Sequence, residues 1–411
     1  MEFIQKRLTF VKTPILVHTM RNGLIKKFSS IRTPFYFYDM DLLKKTLDRL
    51  QAASSMYGIR CHYAIKANTE PRIMTAISAR GLGADCVSGN EVLHAVKYGF
   101  KPEGIVYAGV GKTDWEIDIA LRLGCSFNCE SIPELKVISE MAAASGLRAK
   151  VSIRVNPNID AHTHRYVTTG LDENKFGIPA CDFEAVADFL KESPSLEFMG
   201  LHFHVGSQIM DIQEIFSLAW QRAVGVVDFF EDKGLRVANI DFGGGLGIDY
   251  ENPDLRPYPD FKLWMDTVAK MPIRPDQTLH LEPGRSLVGQ CGSLISRVVY
   301  VKPGETRNFL IVDAGMTDLI RPALYGAYHK IDNLSAQLRG DYSDKEENEL
   351  QRYSVVGPIC ESSDVWGTGR QLPLSYRGDL IAIRSAGAYG QTMASTYNMR
   401  DLAPAVFSDE L

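Results

Sequence analysis

The stretch Cys61-His62-Tyr63-Ala64-Ile65-Lys66-Ala67-Asn68 is a short apolar run with one lysine near its end. Such a run is typical of a buried strand, and Lys66 lies where this strand would pass into a loop. A lysine that is short of water loses its proton readily, and a neutral amine can form a Schiff base with a carbonyl compound. Lys66 could equally extend from a strand end into solvent, so this segment alone leaves both interpretations open.

Further apolar runs follow this one, with helical patterns between them. Asp39 can cap a helix in which leucines recur at helical spacing, and later helical stretches are followed by Gly124, Gly146 or Gly234. Eight strands and eight helices, counting the one at Asp39, predict an α/β protein with a closed (β/α)8 TIM-type barrel. The candidate strands lie near residues 61–66, 84–87, 104–109, 126–129, 150–155, 198–204, 238–242 and 278–282.

The pattern changes after about residue 285. Short β-branched runs occupy residues 295–301, 309–312, 353–356 and 380–383, with proline, glycine and charged turns between them. They predict a C-terminal β-rich domain, of β-sandwich or β-barrel type, completed by a strand from the first thirty residues. We therefore expect a barrel domain over residues 34–285 and a second domain made of residues 1–33 and 286–411.

Composition narrows the class of protein. The 411 residues carry a net charge of −5, and the pI is near 6.0, which argues against nucleic acid or an anionic membrane as partner. No segment resembles a signal peptide or a membrane span, so we expect a cytoplasmic protein. The seven cysteines are irregularly spaced and include no C-x-x-C pair, which predicts neither a disulfide framework nor a zinc knuckle.

Polar residues collect where the predicted barrel strands end, which is where barrel enzymes place their chemistry. Because these ends meet at one rim, an amine, carboxylates, a histidine, arginines and a glycine turn should converge there. The positions are Lys66, Asp85, Arg154, His204–Ser207, Gly243–Gly245 and Glu282–Arg285.

This set of groups suits pyridoxal phosphate. Lys66 would form the Schiff base, the Gly243–Gly245 turn with Ser207 and Arg285 could cradle the phosphate, and Glu282 would pair with the ring nitrogen. His204 could stack on the ring or hydrogen-bond to it. We expect partial desolvation and a cationic neighbour to lower the pKa of Lys66 from about 10.4 to about 8.

A metal site is the chemical alternative. Two H-x-H pairs, His162/His164 and His202/His204, have the spacing of metal ligands, and a barrel hydrolase with two metals would use such a pair. The two pairs fall on different segments, the first after the fifth strand and the second on the sixth. We therefore favour the cofactor and predict no metal.

Four motifs resemble the fold-type III pyridoxal phosphate decarboxylases, whose barrels are similar to that of alanine racemase and which act on diaminopimelate, ornithine or arginine. The motifs are Tyr63–Asn68, His202–Gln208, Asp241–Gly245 and Glu282–Arg285. Further motifs indicate the branch of this family that acts on diaminopimelate. They are Asp313–Met316, Arg321–Tyr325, Gly357–Asp364 and Ser385–Gly390, so that the resemblance extends in order from about Thr33 to Tyr397.

The resemblance implies a role for each matching residue. Lys66 would hold the cofactor, Asp85 would support Lys66, Glu282 would face the pyridine nitrogen and His204 would stack on the ring. Phosphate would be bound by Ser207, Gly243, Gly244, Gly245 and Tyr389. In this family the arginine of Glu-Pro-Gly-Arg, here Arg285, contacts the far end of the substrate instead of the phosphate.

The far end of the substrate accounts for the remaining roles. Arg321 and Tyr325 would bind the distal carboxylate, with Tyr389 close by, and Glu361 would take the distal ammonium. Cys360 and Glu361 are expected from the second subunit of a homodimer with shared active sites. Cys360, or a water near it, would return a proton to the substrate.

The resemblance thus implies removal of one carboxylate from meso-2,6-diaminopimelate, which gives L-lysine and CO2. A decarboxylase of carboxynorspermidine or of another basic amino acid remains an alternative, as does a barrel hydrolase that uses metal. A pyridoxal phosphate carrier without catalytic activity is a third, although it would need no second domain.

Overall fold

The computed structural model describes residues 20–156, 175–342 and 350–411. Its first unit is a closed barrel of eight parallel strands in sequential order, as predicted. The barrel closes where the first of these strands pairs with the last, with Arg60 opposite His280 and Cys61 opposite Leu281. The barrel strands are β2 (Arg60–Ala64), β3 (Gly83–Cys86), β4 (Ile105–Tyr107), β5 (Ser126–Cys129), β6 (Ala149–Val155), β7 (Leu196–Phe203), β8 (Asn239–Asp241) and β9 (Thr278–Leu281).

Helices connect the barrel strands along the chain. The helix that Asp39 caps comes before the first barrel strand and packs with the others. The Asp39 side chain accepts a hydrogen bond from the Leu42 N–H, and Gly58 ends the same helix in the left-handed conformation. The eight α-helices described between residues 40 and 269 each bury apolar side chains in the main core, and all four residues of the shortest helix are buried. They are α2 (Met40–Tyr57), α3 (Pro71–Ser78), α4 (Gly89–Lys97), α5 (Asp114–Leu123), α6 (Ile132–Ala144), α7 (Phe183–Glu192), α8 (Ile212–Asp232), α9 (Phe261–Ala269) and the short α10 (Arg285–Val288), while α1 (Asn22–Phe28) precedes them all.

The second unit is an eight-stranded sheet of mixed direction with two short helices. The long strand β10 pairs with three others and holds the sheet together. The elements are β1 (Phe35–Tyr38), β10 (Gly292–Lys302), β11 (Asn308–Val312), α11 (Arg321–Tyr325), β12 (Ile331–Asn333), α12 (Leu334–Arg339), β13 (Gln351–Val356), β14 (Val365–Leu372), β15 (Leu380–Ile383) and β16 (Ala405–Phe407).

The strand that the N-terminal part lends to this sheet is β1, which lies beyond the first thirty residues. It runs antiparallel to β10 and parallel to β16, so residues 35–38, which we had assigned to the barrel domain, lie in the second sheet. All four of its aromatic residues are buried. Phe35 and Phe37 pack on Phe28 of α1, whereas Tyr36 and Tyr38 join the main core on the other face.

One asparagine joins the two units beside Lys66. The side-chain amide of Asn68 donates to the Tyr38 hydroxyl at 3.0 Å and to the Gly387 carbonyl at 2.8 Å. Its carbonyl oxygen accepts from the Glu70 N–H at 2.8 Å, and the side chain is buried. Asn68 is therefore part of the structural frame, and it holds the segment after β2 against the second unit.

Among the helices that the structure describes, none is both long enough and apolar enough to cross a membrane.

Two glycines of β7 and α8 predict opposite effects of the same substitution. Gly200 has φ +155°, and a Cβ there would collide with the Asn239 carbonyl oxygen, whereas Gly225 is exposed within α8 and a Cβ there would meet nothing within 4 Å. We expect Gly200→Ala to lower the unfolding temperature. Gly225→Ala should raise stability by up to about 1 kcal/mol, because alanine has the higher helix propensity.

Differential scanning calorimetry of the two variants beside the unaltered protein measures both effects. A Gly200→Ala variant as stable as the unaltered protein would show that β7 can relax away from β8, contrary to the packing described.

Candidate active site

A cavity of about 800 Å³ opens at the C-terminal ends of the barrel strands and extends to the second unit. Of the fourteen residues to which the resemblance gives a role, eleven line it and three do not: Gly243, Cys360 and Glu361. The eleven are Lys66, Asp85, His204, Ser207, Gly244, Gly245, Glu282, Arg285, Arg321, Tyr325 and Tyr389. The predicted convergence of strand ends is therefore seen, and the roles of these residues remain predictions.

Lys66 lies two residues beyond the end of β2, in the 3-10 turn Ile65–Ala67. Its Nζ is 3.0 Å from Oδ2 of the buried Asp85, at the end of the neighbouring strand β3. Burial lowers the pKa of Lys66, but the carboxylates of Asp85 and Glu282, with the hydrogen bond to Asp85, outweigh that effect and raise it above its ordinary value. Our expectation that the pKa of Lys66 is lowered was wrong, because the charged group next to its Nζ is the carboxylate of Asp85 and not a cation.

Glu282 follows β9 and is buried beside His202. Its Oε2 is 3.4 Å from His202 Nε2, and its Oε1 has no hydrogen-bond partner among the described residues. Burial alone would raise the pKa of Glu282, but His202 and Lys66 lower it well below its usual range. Burial and the nearby Glu282 have the reverse effect on Asp241, whose pKa is raised. Glu282 therefore keeps its negative charge at the base of the cavity.

His204 lies just past the end of β7 and faces the same cavity. Burial, helped by the positive charges of Arg154 and Lys66, lowers its pKa well below the usual value, so the imidazole is neutral. A neutral ring at this place can pack against a planar ligand without adding charge.

The triple glycine differs from our expectation. The Gly243 N–H donates to Asp241 Oδ1 at 2.8 Å, so it is not available to a phosphate, and Gly243 does not line the cavity. A Cβ on Gly244 would collide with the Glu282 carbonyl oxygen. The glycines thus let β8 approach its neighbours closely, and only Gly244 and Gly245 reach the cavity.

Arg285 spans the cavity between two groups of residues. Its Nη2 donates to Ser207 Oγ at 2.8 Å, while its Nη1 donates to the Tyr250 hydroxyl at 2.7 Å. The guanidinium carbon also lies 4.9 Å from the centre of the Tyr389 ring. This position is compatible with both assignments of Arg285, to the phosphate end or to the far end of the substrate.

Arg321 approaches the same point from the second unit. Its Nη1 is 2.9 Å from the Tyr250 hydroxyl and 2.8 Å from His329 Nε2. Burial and Arg321 lower the pKa of His329 to about 3, so this histidine is neutral. Its Nδ1 lies 2.8 Å from the Arg384 carbonyl and donates to it, which leaves Nε2 to accept from Arg321.

Tyr250 and His329 were not predicted as site residues from the sequence, and the only role considered for His202 was that of a metal ligand. Tyr250 lies in the irregular segment between β8 and α9, and His329 lies just before β12. No motif marks them. For Tyr250, the sequence offered only one indication, which is that the segment after Gly243–Gly245 is too long for a simple turn.

Cys360 and Glu361 are exposed and do not line the cavity of their own chain. The Cys360 N–H donates to Asn398 Oδ1 at 3.0 Å, and Glu361 Oε1 accepts from the Tyr397 hydroxyl at 3.1 Å. If these two residues take part in the chemistry, they must act on the cavity of another copy.

One group of side chains in the described part of the chain bears on the hypothesis of a metal site. Ligand atoms of His202, Asp241 and Glu282 lie within 4.8 Å of one another, a separation compatible with a cation. This group of three is neither of the predicted H-x-H pairs, since it contains His202 without His204. His162 and His164 lie outside the described residues. The comparisons below favour the cofactor.

The sequence and the fold both match known proteins. The family described as "Pyridoxal-dependent decarboxylase, pyridoxal binding domain" matches residues 43–289. Diaminopimelate decarboxylase of Bacteroides thetaiotaomicron is 51% identical over 390 residues, which cover 94% of this chain and 98% of that protein. The Helicobacter pylori protein of the same name is 41% identical over 377 residues, covering 91% of this chain and 89% of that one.

Solved structures agree. The crystal structure of diaminopimelate decarboxylase from Helicobacter pylori complexed with L-lysine superimposes with a TM-score of 0.84 at 38% identity, and the match covers 94% of each chain. A lysine/ornithine decarboxylase from Vibrio vulnificus, complexed with putrescine, has a TM-score of 0.79 at 21% identity and a coverage of 95% of this chain and 98% of that one, which shows a common fold.

The Lys66–Asp85 pair predicts how one carboxylate controls the amine. In Asp85→Asn the main raising charge is lost while burial remains, so the pKa of Lys66 should fall and the amine should react faster near pH 8. Acetylation by acetic anhydride, followed at the Lys66 peptide by mass spectrometry over pH 6–11, measures this.

Asp85→Glu, which keeps the charge, is the matched control and should react like the unaltered protein. An unchanged pH profile in Asp85→Asn would mean that Asp85 does not set the charge of Lys66.

Proposed function

The chain belongs to the diaminopimelate decarboxylases of the pyridoxal-dependent decarboxylase family, and from this membership we propose that it converts meso-2,6-diaminopimelate to L-lysine and CO2 with pyridoxal phosphate at the barrel mouth. This carboxy-lyase reaction is the last step of lysine biosynthesis, and we place it in the cytoplasm. The observation that carries the proposal is one cavity with an amine and a carboxylate at its base and two arginines at its far side.

The residues at the base of the cavity fit the cofactor. Lys66 is the amine that would hold it covalently, and Glu282 Oε1 is a buried carboxylate oxygen without a hydrogen-bond partner among the described residues. Because Glu282 keeps its charge beside His202, it can hold a proton at a pyridine nitrogen. The neutral His204 would pack on the ring, and Ser207, Gly244, Gly245 and Tyr389, which line the same cavity, would bind the phosphate.

When bound, pyridoxal phosphate supplies an electron sink for the pair left when the bond between Cα and the carboxylate breaks. Glu282 would make that sink effective by holding the proton on the pyridine nitrogen. Asp85 keeps the Lys66 amine protonated until the site is loaded, and it stays within reach to accept that proton.

The far side of the cavity suits the second amino-acid head of the substrate. Arg285, Arg321 and Tyr325 would bind the distal carboxylate, since all three line the cavity and two are guanidinium donors. Glu361 would bind the distal ammonium. A substrate with only one amino-acid group, such as ornithine, has no distal carboxylate for Arg285 and Arg321 to bind. This difference supports diaminopimelate over ornithine.

We propose a homodimer in which Cys360 and Glu361 of each chain complete the cavity of the other. Both are exposed and neither lines the cavity of its own chain, which supports this arrangement. Cys360, or a water next to it, would then donate the proton that replaces the lost carboxylate.

A product assay tests the function directly. The purified protein with pyridoxal phosphate should absorb in the visible range and release CO2 and L-lysine from meso-diaminopimelate, and borohydride should fix the cofactor on the Lys66 peptide. Carboxynorspermidine and ornithine, tested in parallel, should be poor substrates. Preferential turnover of either, or label on another lysine, would contradict the proposal.

Hybrid dimers test the shared site. Lys66→Ala and Glu361→Ala chains should each be nearly inactive, but mixing them should restore activity toward a quarter of normal, because up to half of the chains form hybrids and each hybrid has one intact cavity. Activity is measured after the chains are mixed under exchange conditions. Glu361→Ala chains carried alone through the same mixing procedure are the control and should stay inactive. If the mixture of the two variants recovers no activity, Glu361 does not act in the partner's cavity.

A further inference from the structure

We infer that Tyr250 is a specificity-determining positioning residue, whose hydroxyl holds Arg285 and Arg321 together as one binding site for a carboxylate. The inference rests on the proposed function, since it states how the far end of the substrate is recognised. Its basis is the geometry of one phenol oxygen that contacts two arginines from different parts of the chain.

Tyr250 is half-buried in the segment between β8 and α9. Its hydroxyl oxygen accepts from Arg285 Nη1 at 2.7 Å and from Arg321 Nη1 at 2.9 Å. The two guanidinium carbons lie 6.0 and 5.0 Å from the centre of its ring. A single side chain thus fixes the position of both cations by hydrogen bonds and by contact with its ring.

The two guanidinium groups would otherwise repel one another. Burial and the charge of Arg285 lower the pKa of Arg321. Burial alone would raise the pKa of Tyr250, yet the two arginines lower it, because both stabilise negative charge on its oxygen. The phenol therefore compensates part of the repulsion and allows two cations to stay side by side.

The hydrogen-bond donors that meet at Arg285, Arg321 and Tyr250 favour a carboxylate as ligand. Both arginines keep further N–H donors, and Tyr250 keeps its own O–H, for which no described residue between 20 and 411 is an acceptor. Donors that converge in this way need a ligand that only accepts hydrogen bonds and carries negative charge. A carboxylate meets both conditions, whereas an ammonium group meets neither.

The surrounding residues fix Tyr250 before any ligand arrives. Asp254, on the same segment, accepts from Arg384 at 2.7 Å and from Lys330 at 2.9 Å, which ties the segment to the second unit. The His329 ring stands edge-on to Tyr250 at 5.1 Å. A site whose groups are already in place loses little conformational entropy on binding, so the position of the phenol should affect affinity directly.

Two small molecules separate this role from general packing. L-lysine carries a carboxylate beside one of its amines, whereas 1,5-diaminopentane has the same chain without the carboxylate. In Tyr250→Phe the ring stays and only the oxygen is lost, so the two arginines are no longer held together. L-lysine should then bind about tenfold or more weakly, while 1,5-diaminopentane should change by less than about twofold.

Isothermal titration calorimetry on the protein loaded with pyridoxal phosphate measures both affinities, and the visible absorbance shows that loading is unchanged. Tyr258→Phe is the matched control on the same segment, since Tyr258 packs on Arg49 at 4.2 Å and should affect neither ligand. An unchanged affinity for L-lysine, or an equal loss for both molecules, overturns the inference.

Should Tyr250→Phe not accumulate as a folded protein, Tyr250→His replaces it, because a neutral ring nitrogen accepts only one N–H. An unchanged ratio of the two affinities overturns the inference there as well. The calorimetry does not require turnover. Absence of CO2 release by the unaltered protein therefore counts against the proposed function, and the affinities by themselves decide the role of Tyr250.

Discussion

Closure of the barrel is the constraint on which the site depends. The pairing of β2 with β9 makes neighbours of two strands from opposite ends of the barrel segment. The Ala64 N–H then donates to the Pro283 carbonyl at 3.1 Å, which places the turn of Lys66 beside Glu282. Because parallel strands all end on the same side, the other chemical groups meet at that rim as well.

The second unit completes the site instead of merely covering it. Asn68 joins Tyr38 and Gly387 beside Lys66, and the N–H of Tyr389 donates to the Ala67 carbonyl at 2.8 Å. Tyr389 has φ +56°, an unfavourable conformation that this docking maintains. The same unit supplies Arg321 and the neutral His329, so the far end of the cavity is built from both units.

Much of the fold could be predicted, because buried parallel strands leave continuous apolar runs between amphipathic helices. Strand β1 was assigned to the wrong unit, since four consecutive aromatic residues indicate burial without saying on which sheet. The interactions of the site were harder to predict. The charge of Lys66 depends on the distance to Asp85, and the role of Gly243 depends on Asp241, neither of which a linear pattern contains. Tyr250 belongs to no motif, and only the assembled fold brings it to Arg285 and Arg321.

The convergence of Arg285 and Arg321 on one phenol has a practical consequence. Paired guanidinium groups attract small oxyanions in general, and sulfate or inorganic phosphate can occupy such a place as readily as a carboxylate. Buffers and precipitants that contain these ions will therefore compete with substrate. Kinetic work on this protein should use zwitterionic buffers at a fixed, low ionic strength.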